Sequence, residues 1–175
     1  MATTNSTLLK IMNIIFWIVF IGLCIKTGAL LISFFVSLFG TPAAAEAVYL
    51  GLDLSDLYAY GEWHYIAMAL LLIVLTGQKT YIAYLVIKSF MSFDLSRPFN
   101  AKLTGLFLQI SHVALGAGIL AVVATGYSKA MGKAGVAVPI DFSGGEILFF
   151  SGIIYLLALV FKKGADLQAE NDLTV

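Results

Sequence analysis

The chain has 175 residues, 61% hydrophobic and 11% charged, with a mean hydropathy of +0.98; soluble domains carry about 25% charged residues. This excludes an ordinary water-soluble domain and a disordered chain. The formal net charge of zero leaves no field to draw in nucleic acid, so no direct nucleic-acid binding is expected.

A single cysteine, Cys24, excludes an intrachain disulfide framework and a thiolate-cluster zinc site. It lies in an apolar run and reads as a packing thiol. That run, 11–39, carries Lys26 as its only charge. Ala43, Ala44 and Ala45 after Pro42 resemble a signal-peptidase site, but the apolar stretch is about twice the ~7–15 residues of a signal core, so it reads as a retained span. Three further stretches, 63–93, 103–125 and 146–161, are apolar enough to cross a hydrocarbon core of ~30 Å. Each is expected to be helical, because an isolated strand leaves its backbone groups unsatisfied in lipid. The first two, at roughly 43–46 Å, must tilt or project beyond the bilayer.

The connection 40–62 carries Glu46, Asp53, Asp56 and Glu62 and no Lys or Arg; its Leu52, Leu54, Leu57, Tyr58 and Tyr60 predict a short surface helix packing back on the bundle. The segment 92–102 reads as a tight polar turn with Pro98 as the helix breaker. The segment 126–145 is rich in small residues, with Lys129 and Lys133, and its Gly144-Gly145 step reads as a helix start. After Phe161 come Lys162, Lys163 and Gly164, which can end the helix, and then a polar tail over 162–175. Lys10, Lys88, Arg97, Lys102, Lys162 and Lys163 fall on one side and Lys129 and Lys133 on the other. The positive-inside rule therefore predicts both termini in the cytoplasm.

Polar residues inside the spans are costly in lipid, at least ~2.5–3.5 kcal/mol for a central charge, and are expected to face the bundle or a wet cavity. Gly22, Lys26, Ala29 and Ser33 share one helical face, as do Gly105, Gln109, His112 and Gly116. Such stripes suit close helix packing in lipid and leave room for a homo-oligomer. Lys26 is 16 residues from Lys10 and Glu146 is 16 from Lys162, which predicts a Lys26–Glu146 ion pair. Lys79 and His112 each lie about nine residues, ~14 Å, inside their spans, where no carboxylate shares their level. Lys79 is then left to shed its proton, to bond carbonyls and Gln109, to snorkel, or to meet an acidic lipid or small ligand. Lys26-Thr27 and Lys79-Thr80 form a local echo that two dipeptides do not raise to a repeat. His64 and His112 differ in height by roughly 20 Å, too far to share a haem iron. His64, beside Trp63 and Tyr65, reads as an interfacial anchor. No cofactor and no metal site is expected, and no nucleophile–base set or phosphate loop marks an enzyme.

The tail reads Gly164-Ala165-Asp166-Leu167-Gln168-Ala169-Glu170-Asn171-Asp172-Leu173-Thr174-Val175. It resembles the C-terminal signature of a bacterial family of small four-span inner-membrane proteins known only as a domain of unknown function. The Pro98-Phe99 step matches a second feature of that family, although Arg97 stands where members often have Asp. The resemblance implies a non-enzymatic protein of the bacterial inner membrane, often encoded beside a Cro/CI-type helix-turn-helix regulator and therefore a sensor or regulatory partner for it. Independently of the family, Asp166, Glu170 and Asp172 with Leu167 and Leu173 suit docking on a basic partner surface, or folding back on the bundle. The expected architecture is an all-α, four-helix antiparallel bundle in the lipid bilayer. A small transporter or lipid-handling protein using Lys26, Lys79, Gln109 and His112 as a polar pathway is the competing function.

Overall fold

The computed structural model describes residues 2–39, 52–93, 99–136, 138, 140 and 142–173, with side chains from 7 to 170 within them. The expected turn at Pro98, the Ala43–Ala45 run, Glu46, and the side chains of Asp172 and Leu173 lie outside the described residues. The fold is all-α. Helix α1 spans Ala2–Phe39, α2 Ser55–Tyr60, α3 Glu62–Ser92, α4 Ala101–Lys133 and α5 Gly144–Leu173. Four segments of these helices are long and apolar enough to cross a membrane: Thr7–Phe39, Glu62–Ser92, Ala101–Lys133 and Gly144–Glu170. This is the architecture of a multi-pass membrane protein.

Three helices outrun their apolar stretches. α1 begins at Ala2, α4 continues to Lys133 and α5 runs through Gly164 to Leu173. Apolarity measures fitness for hydrocarbon, whereas a helix ends where its backbone finds another partner. At α4 that partner is a Schellman cap. Gly135 adopts φ +84°, Gly135 N–H donates to the Gly132 carbonyl, and Val136 N–H donates to the Met131 carbonyl. Met131 and Val136 are both buried in one apolar cluster, the contact that seals this motif. At the other end Asn100 caps α4, its side chain accepting from Leu103 N–H at 2.8 Å. Gly164, expected as a stop, instead accommodates the Phe99 ring. A Cβ there would lie 2.6 Å from Phe99 Cδ1.

The short α2 packs on α3 as its apolar residues require, with Leu54 and Leu57 completely buried. Ahead of it the Asp53 carboxylate accepts from Ser55 N–H at 2.8 Å. The hydrogen bonds from Ser55, side chain and backbone, hold the Asp53 carboxyl below the usual carboxylate range.

The long helices pack in sequence: α1 on α3, α3 on α4, and α4 on α5. Among the described residues α1 packs on neither α4 nor α5, so the bundle is open along one side. Phe16 packs on Phe90, two residues before the end of α3. The first twelve or so residues of α1 therefore project about 18 Å beyond α3, which is how this overlong helix is accommodated. Inside the apolar spans, hydroxyls have no water to meet. Those of Thr27, Thr76, Thr80, Ser89 and Thr125 each bond the carbonyl four residues back.

The α4–α5 seam relies on glycine. A Cβ on Gly144 would lie 2.7 Å from the Val122 backbone nitrogen, which cannot swing away as a side chain could. Gly144→Ala is expected to lower stability by about 1–3 kcal/mol, whereas Gly22→Ala, with nothing within 4 Å of the new carbon, leaves it unchanged or higher. Thermal melting of both variants in detergent checks the contrast.

Candidate functional site

The lysine–threonine echo of the sequence is a physical contact. α1 and α3 run antiparallel, and Thr27 Oγ1 lies 3.1 Å from Thr80 Oγ1 across their seam. Lys26 and Lys79, each one residue before a partner in that contact, are thereby brought to one level on one flank of the pair. Both lysines are exposed on the flank of the helix pair rather than turned into a closed interior. The open packing explains this, because among the described residues α1 packs on α3 alone.

The other flank of the same pair is apolar. Phe20, Cys24, Gly28, Gly77, Tyr81 and Tyr84 line a groove of about 590 Å³. Thr27 and Thr80 of the seam also line it, each lysine is next to one of them, and each lysine lies about 200° around its helix from the groove's glycine. Gly28 and Gly77 have nothing within 4 Å of where a Cβ would be, and this keeps the groove open. Nearer the end of α3, Lys88 places its Nζ 4.9 Å from the centre of the Tyr84 ring.

The expected Lys26–Glu146 pair is not formed. Leu148 packs over Gly118, His64 bonds Tyr127, and Phe34 stacks with Tyr65. These contacts join neighbouring helices only, and α1 makes none with α5 among the described residues. Two helices also stand between them. The depth count assumed that Lys10 and Lys162 mark the same boundary, but α1 projects past it. Glu146 instead lines a cleft of about 480 Å³ with Lys129, Ser143 and the glycines at the start of α5.

Lys79, Gln109 and His112 share a level but do not converge. Gln109 Nε2 donates to Tyr81 Oη at 2.6 Å, and Tyr81 lies about 200° around α3 from Lys79. His112 faces α5, its ring 6.4 Å from that of Tyr155, in a cleft of about 320 Å³ with Ser111, Leu115, Ser151 and Gly152. The four residues offered as a polar pathway thus lie in three separate places. On the same two helices, the Gln78 side chain comes within 3.7 Å of a Cβ position at Gly116, and its Oε1 is buried with no hydrogen-bond partner among the described residues. Sequence reasoning passed over Gln78 and Tyr81. Their signal was a polar residue at the level of Gln109 on the neighbouring helix.

His64 bonds Tyr127 through Nδ1 at 2.6 Å, tying the start of α3 to α4. Neighbouring Trp63 is 82% exposed, in keeping with an interfacial position. Tyr127 and His112 are 15 residues apart on α4, about 22 Å, so the two histidines stay far apart. At the chain-terminal end, α5 carries Asp166, Leu167 and Glu170 exposed on a helix. The Phe99 ring lies against Gly164 and 5.2 Å from that of Phe161, which in turn meets Phe107 at 4.8 Å. The segment after Pro98 is thereby fastened to the last helix.

Family models, curated proteins and solved structures were all compared with the chain, and none matches. A double-mutant cycle distinguishes the partners of Gln109. Gln109→Leu with Tyr81→Phe is expected to show a coupling of about 0.6 kcal/mol, the average for such bonds between membrane helices. Gln109→Leu with Lys79→Met is expected to show none, as read by unfolding in mixed micelles.

Proposed function

We propose that the chain is a non-enzymatic sensor of the bacterial inner membrane, with both termini in the cytoplasm, that holds an acidic ligand at Lys26 and Lys79 and signals through its C-terminal helix. The observation that carries the reading is the pairing of like charges. Two ammonium groups set side by side on apolar helices repel each other in a medium of low dielectric. A lipid phosphate or an acyl carboxylate at that flank offsets one of the two charges and lessens the repulsion. Ligand binding across the flank of α1 and α3 would bias their packing, and α3 leads into the segment whose Phe99 packs on Gly164 of α5.

The output half rests on the resemblance of the tail and on its exposed face of Asp166, Leu167 and Glu170. These offer a basic regulator of the helix-turn-helix type a charged, partly apolar helix to dock on. The transport reading has less support, because Lys79, Gln109 and His112 open in different directions.

Native mass spectrometry of the purified protein tests the ligand half. An acidic lipid or fatty acid is expected to co-purify with the wild type and to fall at least tenfold in Lys79→Met; a wild type free of acidic ligands contradicts the reading. For the output half, deletion of residues 164–175 is expected to abolish capture of the cytoplasmic regulator while leaving the bound acid in place. Capture that survives the deletion rules out the tail as the docking element.

A further inference from the structure

We propose that the cleft between the end of α4 and the start of α5 is a second binding site, selective for a zwitterion that carries an ammonium and a phosphate or carboxylate. It does not depend on the Lys26–Lys79 reading, since it lies on other helices and at another level. The cleft, about 480 Å³, is lined by Lys129 from α4 and Glu146 from α5, with Gly126, Ser143 and Gly145 between them. No ion pair joins Lys129 and Glu146 among the described residues, and both side chains are exposed to the cleft's opening. The His112 cleft and the Cys24 groove, by contrast, are lined by no Lys, Arg, Asp or Glu.

The two charges decide the ligand. A lone anion at Lys129 would be repelled by Glu146, and a lone cation at Glu146 would be repelled by Lys129. A molecule bearing both signs satisfies both at once. Lys129 is four residues from the end of α4 and Glu146 is third in α5, so the pair sits where apolar helix gives way to headgroups. Attraction there is stronger than in bulk water. The floor is rigid because Gly144 packs directly on the Val122 backbone. Room remains because a Cβ on Gly126 or Gly145 would meet nothing within 4 Å. The ammonium-and-phosphate pair is found both in a phosphatidylethanolamine headgroup and in a free zwitterionic solute.

The test uses the full-length Lys79→Met protein, so that acidic-lipid binding at the lysine pair does not contribute. Dioctanoyl phosphatidylethanolamine, dioctanoyl phosphatidylglycerol and glycerophosphoethanolamine are titrated by native mass spectrometry. Phosphatidylethanolamine is expected to bind at least tenfold more tightly than phosphatidylglycerol. Glu146→Gln and Lys129→Gln are each expected to remove that preference, and Gly126→Leu, which fills the cleft without changing charge, to remove binding. Equal binding of glycerophosphoethanolamine assigns the site to a soluble zwitterion, and binding of the lipid alone assigns it to the headgroup. Phosphatidylglycerol binding as tightly as phosphatidylethanolamine overturns the proposal, as does a preference that survives all three substitutions. Wild-type protein that retains its acidic lipid while this titration fails loses only the second site.

Discussion

A hydroxyl inside a bilayer has no water to turn to, and the α1–α3 seam is set by that constraint. Thr27 and Thr80 each return a hydrogen bond to their own helix and then meet each other at 3.1 Å. With that contact in place the register of the two helices follows. Phe16 lies on Phe90, Phe20 comes 6.0 Å from Tyr84, and Ser37 bonds Tyr65 at 2.6 Å in a buried position. The same register stacks Lys26 beside Lys79 and leaves an apolar groove on the opposite flank. A shift of one turn would separate the lysines and expose two hydroxyls to lipid.

The second organising feature is that each long helix packs on its neighbour in the chain and the series does not close. α3 and α4 are joined by Tyr81–Gln109 and His64–Tyr127, while α4 and α5 approach closely through Gly118 and Gly144. An open series has more flanks than a closed bundle, and polar residues are distributed among them. That is why residues sharing one depth occupy separate places, and why Glu146 finds Lys129 rather than Lys26 in its cleft.

Much of this was legible in the residues. The four crossings follow from the length of apolar chain a bilayer demands, and the short α2 from leucines and tyrosines in an acidic segment. The helix ends were not, because polarity does not terminate a helix. Gly135 ends α4 by taking a left-handed conformation, whereas Gly164 continues α5 and makes space for Phe99, a residue that arrives from the other end of α4. The two glycines differ in their tertiary neighbours, which the local sequence does not reveal. The shared level of Lys79 and His112 was legible, but the matching of Lys26 with Glu146 was not, because α1 projects past the boundary used to count it. The echo of Lys26-Thr27 in Lys79-Thr80 was visible as a pattern, and only the antiparallel packing of α1 on α3 turned it into a contact.

The account stands or falls on that register, and disulfide cross-linking in native membranes measures it directly. In a Cys24→Ala background, Thr27→Cys with Thr80→Cys is predicted to cross-link readily under mild oxidation, and Lys26→Cys with Glu146→Cys is predicted not to. Cross-linking of the second pair without the first would contradict the packing of α1 on α3 and remove the paired lysines on which the proposed function rests.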